Sequence, residues 1–343
     1  MHPLSCNSHL TSHTVQTTPT PLRAGIIGCD TSHAVEFTKI LNDRAAPGSS
    51  FAVRATSAFP GGSADLPESV GRLETFTSQL RGQGIEIVDS IAELLQGVDV
   101  VLLLSLDGRQ HVDQATAVIQ AGKPVFIDKP LGASLCEAIH ILQLATAHSV
   151  PCFSSSLLRF APNVVAMRND ADLGQVLGCT AYGPCRLEPH HPDLFFYGIH
   201  IVEMLLTIMG TGCARVSRVH AEDTDVVTGT WHDSRVGTIR GLRAGRQEFG
   251  AVVYGSQAIA NCRGFTEHAF GSSGIDSGDS ASGYQPLVAE IARFFHTGNT
   301  LVSLDEMLEV FAFMEAANES RRQGGVPVEL ESVLATARKE TLR

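Results

Sequence analysis

The stretch Val98–Leu131, VDVVLLLSLDGRQHVDQATAVIQAGKPVFIDKPL, decides the fold. Val100–Leu104 is an unbroken apolar run, the pattern of a strand covered on both faces of a parallel sheet. Parallel neighbours need a crossover. His111–Ala121 supplies one, with Val112, Ala115, Val118 and Ile119 at helical spacing and Gly122 as the C-cap. Val125–Ile127 is the next strand, and Asp128-Lys129-Pro130 follows at its carboxyl end, where open α/β sheets place their ligands. Pro130 fixes its own φ and biases Lys129 toward extended geometry, so the ammonium is carried on a stiff turn.

This order of strand, loop, helix and AGKPVFIDKPL resembles the Glu-Lys-Pro signature of the Gfo/Idh/MocA oxidoreductases, with Asp128 in place of the usual Glu. The resemblance covers nearly all of the chain after about the first twenty residues. It implies a Rossmann-type α/β domain with a doubly wound parallel sheet, followed by an α+β domain with a large, mostly antiparallel sheet.

A chain of 343 residues suits two such domains. A net charge of −11, a single Trp and the absence of a basic run exclude a nucleic-acid footprint and disfavour anionic membranes. The eight cysteines are scattered without CxxC or zinc-like spacing, as in a reduced cytoplasmic protein. Residues 1–21 are rich in Ser, Thr, His and Pro and lack an apolar core, so they are expected to form a disordered extension and not a secretory signal. No apolar run approaches the roughly 18 residues of a membrane span. The first domain then covers 22–155 and the second 156–343.

The first domain opens with the strand Arg23–Gly28, a tight loop and the helix Ala34–Leu41. The general dinucleotide fingerprint is G-x-G-x-x-G, whereas this chain has Gly28-Cys29-Asp30-Thr31-Ser32-His33 and keeps only the first glycine. Asp30 stands where backbone ordinarily approaches a pyrophosphate, and it reads either as the helix N-cap or as a direct ligand contact. Thr31 and Ser32 offer hydroxyl donors, and His33 offers positive charge if protonated. The second strand, Phe51–Thr56, ends at Ser57 without the acidic residue typical of an NAD site, which leaves NAD against NADP undetermined. Asp65–Gly82 is a helix, Ile85–Val88 a strand, Ile91–Leu95 a helix, Ser134–His148 a helix and Val150–Ser154 the sixth strand.

The family resemblance extends to site residues. Ser105, Asp107 and His111 are similar to the loop that lies under the nicotinamide half of the cofactor, with Asp128 and Lys129 beside it. Arg159, in Leu157–Pro162, is similar to a segment that borders the interdomain cleft. Asp193–Gly210 reads as one apolar helix carrying Tyr197, His200 and Glu203 on one side. The resemblance places an acid/base histidine at His200, whose usual acidic partner position is Phe196; Glu203 or Tyr197 remains to orient the imidazole. Glu188, His190 and His191, with His200 and Glu203, form a weaker alternative as a hard metal site; no metal is assigned.

After Ala214 come short alternating strands, a Gly- and Ser-rich stretch at 264–283, the helices Tyr284–His296 and Leu304–Arg322, and a closing strand Val326–Glu329. The sheet commonly serves oligomer contacts in the family, so a homodimer or homotetramer is expected. The resemblance implies an oxidoreductase using NAD or NADP on a sugar, cyclitol or related polyol, with Lys129 and His200 at the reacting hydroxyl; helical spacing adds Tyr197 beside His200 as a further catalytic candidate. The altered loop motivates two alternatives: a non-redox carbohydrate-binding or sensor protein, and a lyase or hydrolase aided by cofactor or metal.

Overall fold

In the computed structural model, which describes residues 20–43, 53–266 and 280–341, the chain builds two sheets around a main apolar core, with a small separate cluster of Leu66, Leu106 and Phe196. In chain order, the first half runs β1 (Leu22–Ile27), α1 (Ser32–Asn42), β2 (Val53–Phe59), α2 (Pro67–Gly82), β3 (Glu86–Ile87), α3 (Ile91–Gly97), β4 (Val100–Leu103), α4 (His111–Gln120), β5 (Val125–Ile127), α5 (Leu135–Ala147) and β6 (Cys152–Ser154). Its six strands are parallel in the order β3-β2-β1-β4-β5-β6. The order reverses beside β1, so a crevice opens between the loops that follow β1 and β4. All four residues of β4 and all three of β5 are buried, as expected for strands sandwiched by helices. Ser90 and Ser134 cap α3 and α5 by accepting from Glu93 N and Glu137 N, both at 3.1 Å.

The second half runs α6 (Pro162–Asn169), β7 (Val176–Pro184), α7 (Asp193–Phe196), α8 (Ile199–Met209), β8 (Cys213–Ala221), β9 (Thr224–Trp231), β10 (Val236–Leu242), β11 (Glu248–Gly255), β12 (Ile259–Thr266), α9 (Ser280–Thr297), α10 (Leu304–Arg322), β13 (Val328–Glu329) and α11 (Leu330–Thr341). Its seven strands follow the order β12-β11-β7-β10-β9-β8-β13, antiparallel except for the β7–β10 pair. Every residue of α8 is buried beneath this sheet. The C-terminal helices return to the first half: α9 packs on α1, while α10 and α11 pack on α5. Phe294 of α9 joins the ring chain Phe126–Phe153–Phe294, with centroids 5.1 and 5.4 Å apart. Each such buried ring contributes about 1.5–3 kcal/mol of apolar burial, so the two halves share a core.

Three expectations change. β2 runs to Phe59, because Ser57, Ala58 and Phe59 continue the ladder with Gly25, Ile26 and Ile27; Ser57 therefore lies inside the strand and not at its tip. The helix expected over Asp193–Gly210 breaks at Tyr197-Gly198, where a Cβ on residue 198 would meet Leu194 O at 2.9 Å and Cys185 Sγ at 3.1 Å. A final helix, α11, follows the closing strand and was not read from the sequence. Most of the proposed N-terminal extension, and residues 267–279 of the Gly/Ser-rich stretch, lie outside the described residues.

Candidate active site

The turn bearing Lys129 is pinned from below. His111, wholly buried at the start of α4, places Nδ1 2.8 Å from Pro130 O and Nε2 2.9 Å from Ser105 O, tying the loops after β4 and β5 to one ring. Burial lowers the His111 pKa, and a neutral ring can donate to one of those two carbonyls. Asp128 turns beneath the chain: its Oδ2 lies 2.5 Å from His33 Nδ1, and its Oδ1 accepts from Lys129 N at 2.8 Å. Lys129 itself is 9% exposed and faces a cavity of about 530 Å³ between the two halves. Burial lowers its ammonium pKa, opposed by Asp128 and Glu68 and helped by Arg186 and Arg72.

His200 reaches the same cavity from the first turn of α8. Its Nδ1 lies 2.7 Å from Ser156 Oγ, just beyond β6, leaving Nε2 as the ring nitrogen without this tie. Burial, with the nearby charge of Lys129 adding to it, holds the imidazole pKa well below its ordinary 6.5, so the ring is neutral at neutral pH. Tyr197 packs edge-on to His200 at 5.1 Å and carries the Arg186 guanidinium over its ring at 4.5 Å. Glu68, which lines the cavity with Arg72 and Arg186, lies 2.5 Å from the first and 3.5 Å from the second. A neutral imidazole and a lysine side chain opening on one cavity can share a substrate hydroxyl, one taking the proton while the other hydrogen-bonds the oxygen.

The other end of the crevice is closed. A dinucleotide on this topology lays its pyrophosphate over the N-terminus of the first helix and its adenosine ribose at the tip of the second strand. Here Asp30, fully buried, holds that ground: its carboxylate accepts from Ser69 Oγ of α2 at 2.6 Å and from Leu106 N at 3.0 Å. Thr31, and not Asp30, caps α1, accepting from His33 N at 3.3 Å. Gly28, at φ +92°, lies so close to the β4 loop that a Cβ would come within 2.3 Å of Ser105 N. Gly61, after β2, faces Gly28 with room for no more than a Cβ, which would lie 3.7 Å from Gly28 Cα. Ser63 Oγ donates to Asp107 at 2.6 Å, Gln110 Nε2 donates to Gly62 O at 2.9 Å and Ser63 Oγ at 2.6 Å, and Arg109 grips Asp65 at 2.8 and 2.9 Å. The residues at this end do not fit the adenosine half of a dinucleotide.

The closed end is also sewn to the second half. His191 Nε2 lies 3.2 Å from Asp107 Oδ1, close but without hydrogen-bond alignment, and Phe196 packs with Leu66 and Leu106. Burial alone would raise the Asp107 pKa, but His191, Arg109 and Ser63 together hold it far below the usual carboxylate range.

Of the residues singled out from the sequence, the cavity therefore gathers Thr31, Ser32, His33, Lys129, Tyr197 and His200. It does not gather Gly28, Asp30, Ser57, Ser105, Asp107, His111 or Asp128, which are buried in the frame. Arg159 and Glu203, expected at the substrate, instead pair with each other at 2.5 Å, and Arg159 also meets Glu306 at 3.4 Å. Glu203 therefore does not orient His200; Ser156 does. The alternative metal set is dispersed, with Glu188 on His190, His191 on Asp107 and Glu203 on Arg159. Glu68, Arg72, Arg186, Phe249 and Tyr284 also line the cavity and came from no motif.

Residues 67–156 match the Gfo/Idh/MocA model, described as an oxidoreductase family with an NAD-binding Rossmann fold. Inositol 2-dehydrogenase 1 of Saccharopolyspora erythraea is 35% identical over 81 residues, 23% of this chain; the chain thus aligns with about a quarter (24%) of that relative's length. Among solved structures, a protein described as a probable dehydrogenase from Thermotoga maritima superposes with a TM-score of 0.72 at 18% identity, covering 91% of this chain and all of that one. The scyllo-inositol dehydrogenase of Lactobacillus casei, solved with NAD(H) and scyllo-inositol, gives 0.71 at 12% identity over 91% of this chain and 100% of its own. At those identities the likeness is one of fold. The family match rests on residues 67–156, set within a two-sheet fold shared with those structures.

Proposed function

We propose that this chain is a nicotinamide-dependent oxidoreductase acting on a CH–OH group of a cyclitol, sugar or related polyol. The observation that carries the reading is that Lys129 and His200, over seventy residues apart, open on one cavity while His200 is neutral and held by Ser156. The family description and the inositol dehydrogenase relative support it. His200 Nε2 takes the hydroxyl proton, which requires Nδ1 to donate to Ser156 Oγ. Lys129 hydrogen-bonds the same oxygen and stabilises charge as it develops there. Tyr197 bounds the substrate, while Thr31, Ser32 and His33 border the cofactor side. A nicotinamide, when bound, supplies the hydride acceptor; whether NAD or NADP serves is decided by assay.

The chain works as a cytoplasmic homodimer or homotetramer. In support, among the described residues all seven cysteines are free and no helix is long and apolar enough to cross a membrane, and Leu177, Val219, Val236, Tyr254 and Ile259 are exposed on strands of the second sheet. The test is reduction of NAD or NADP by a panel of cyclitols and sugar alcohols. Turnover of at least one supports the proposal. Binding of a polyol without turnover supports the second reading, a non-redox carbohydrate-binding protein, which the closed end of the crevice favours.

A further inference from the structure

The two ends of the crevice differ in what they can admit. From Thr31 and Ser32 toward Lys129 and His200 the space is open, at about 530 Å³, within the ~300–1,000 Å³ span of small-molecule sites. Beyond Asp30 it is filled by the chain itself. The filling is built from matched donors and acceptors: both oxygens of Asp30 are used, Asp107 collects Ser63 and Arg109, and Gln110 and Asp65 complete the bridge between the loops after β2 and β4. The adenosine-side phosphate of a dinucleotide, brought beyond Ser32 to this place, would meet a fully buried carboxylate, and the adenosine would have to force open a pair of loops that also lie against His191.

We infer that the adenosine half of a nicotinamide dinucleotide has no place in this crevice, so that the site takes a ligand of nicotinamide-mononucleotide size. The inference rests on the oxidoreductase reading only for the nicotinamide; the closure rests on the contacts above. Its consequence is that the adenosine half adds no affinity. A dinucleotide binds only as far as its nicotinamide half reaches, or in the small fraction of molecules whose loops have separated.

The experiment titrates the full-length chain with reduced nicotinamide mononucleotide, NADH and NADPH, following nicotinamide fluorescence and calorimetry. It is repeated on Asp30→Gly and on the double variant Ser63→Ala/Asp65→Ala, which loosens the bridge at a side chain, Asp65, that is 56% exposed and so tolerant of change. In the unaltered chain the dinucleotides should bind no more than about tenfold tighter than the mononucleotide, the worth of one or two hydrogen bonds. Either variant should tighten NADH by about tenfold or more while leaving the mononucleotide unchanged. Dinucleotides bound more than about tenfold tighter than the mononucleotide by the unaltered chain, or variants that leave NADH binding unchanged, would overturn this inference and leave the oxidoreductase reading intact. Silence with all three ligands in every variant would overturn both.

Discussion

The two ends of one crevice are built on opposite principles. At the Lys129 end, ionisable groups are buried with little compensation: the lysine and His200 both have lowered pKa values, and one serine hydroxyl orients the imidazole. At the Asp30 end, polar groups are buried with their contacts largely met, and Asp107 is stabilised as a carboxylate by three partners. Under-compensated groups store reactivity at a cost in stability, whereas compensated ones hold the frame. Substitutions at the two ends should therefore move different quantities.

The largest expected effect is at Lys129. Lys129→Met should lower turnover by about 10³-fold or more, through lost stabilisation of the developing alkoxide. It should not lower the melting temperature, because a buried ammonium is exchanged for an apolar chain of similar length. A rate within twofold of the parent, or a large fall in melting temperature, would erase the distinction between the ends. Next, His200→Gln should cost roughly 10²–10³-fold in kcat with the fold intact by circular dichroism.

The closed end should answer in stability. Asp107→Ala should cost about 2–3 kcal/mol in urea unfolding, the low side for a broken buried pair, because the Arg109 side chain is already 32% exposed and regains water. The sign with pH follows. The depressed Asp107 pKa contributes stability that is full above its unfolded value near 3.9 and is lost as pH falls through the lower folded value. For His200, also depressed, the contribution is full above about 6.5 and declines as pH falls toward the folded value, so the acid limb of kcat/KM should lie below pH 6.5. An acid limb at or above 6.5 would mean that His200 is not the base. The smallest effect is expected from Ser156→Ala, about tenfold in kcat with little change in KM, since it reorients the ring without touching substrate.

How much of this was legible beforehand varied with the kind of signal. Apolar runs and periodicity located β4, α4, β5 and α10 to within about a residue, because burial on both faces and helical spacing leave direct marks on sequence. The break at Gly198 was hidden, since apolar spacing reads straight through a glycine whose role is close contact with Leu194 and Cys185. β2 runs three residues past the expected end at Thr56, enough to take Ser57 from tip to interior. Ser156 sits in a run of serines that distinguishes none of them, and Arg159 and Glu203 showed no sign that each was the other's partner. Asp30 was visible as an oddity, but its partners Ser69 and Leu106 lie 39 and 76 residues away.

The central claim is that Lys129 and His200 act on one substrate oxygen, and a double-mutant cycle tests it most directly. Turnover of a cyclitol is measured for the parent, Lys129→Met, His200→Gln and the double variant. If both side chains serve the same oxygen, the double variant should be little slower than the slower single variant, because removing either already disables the pair. Losses that multiply across the two substitutions would contradict the account.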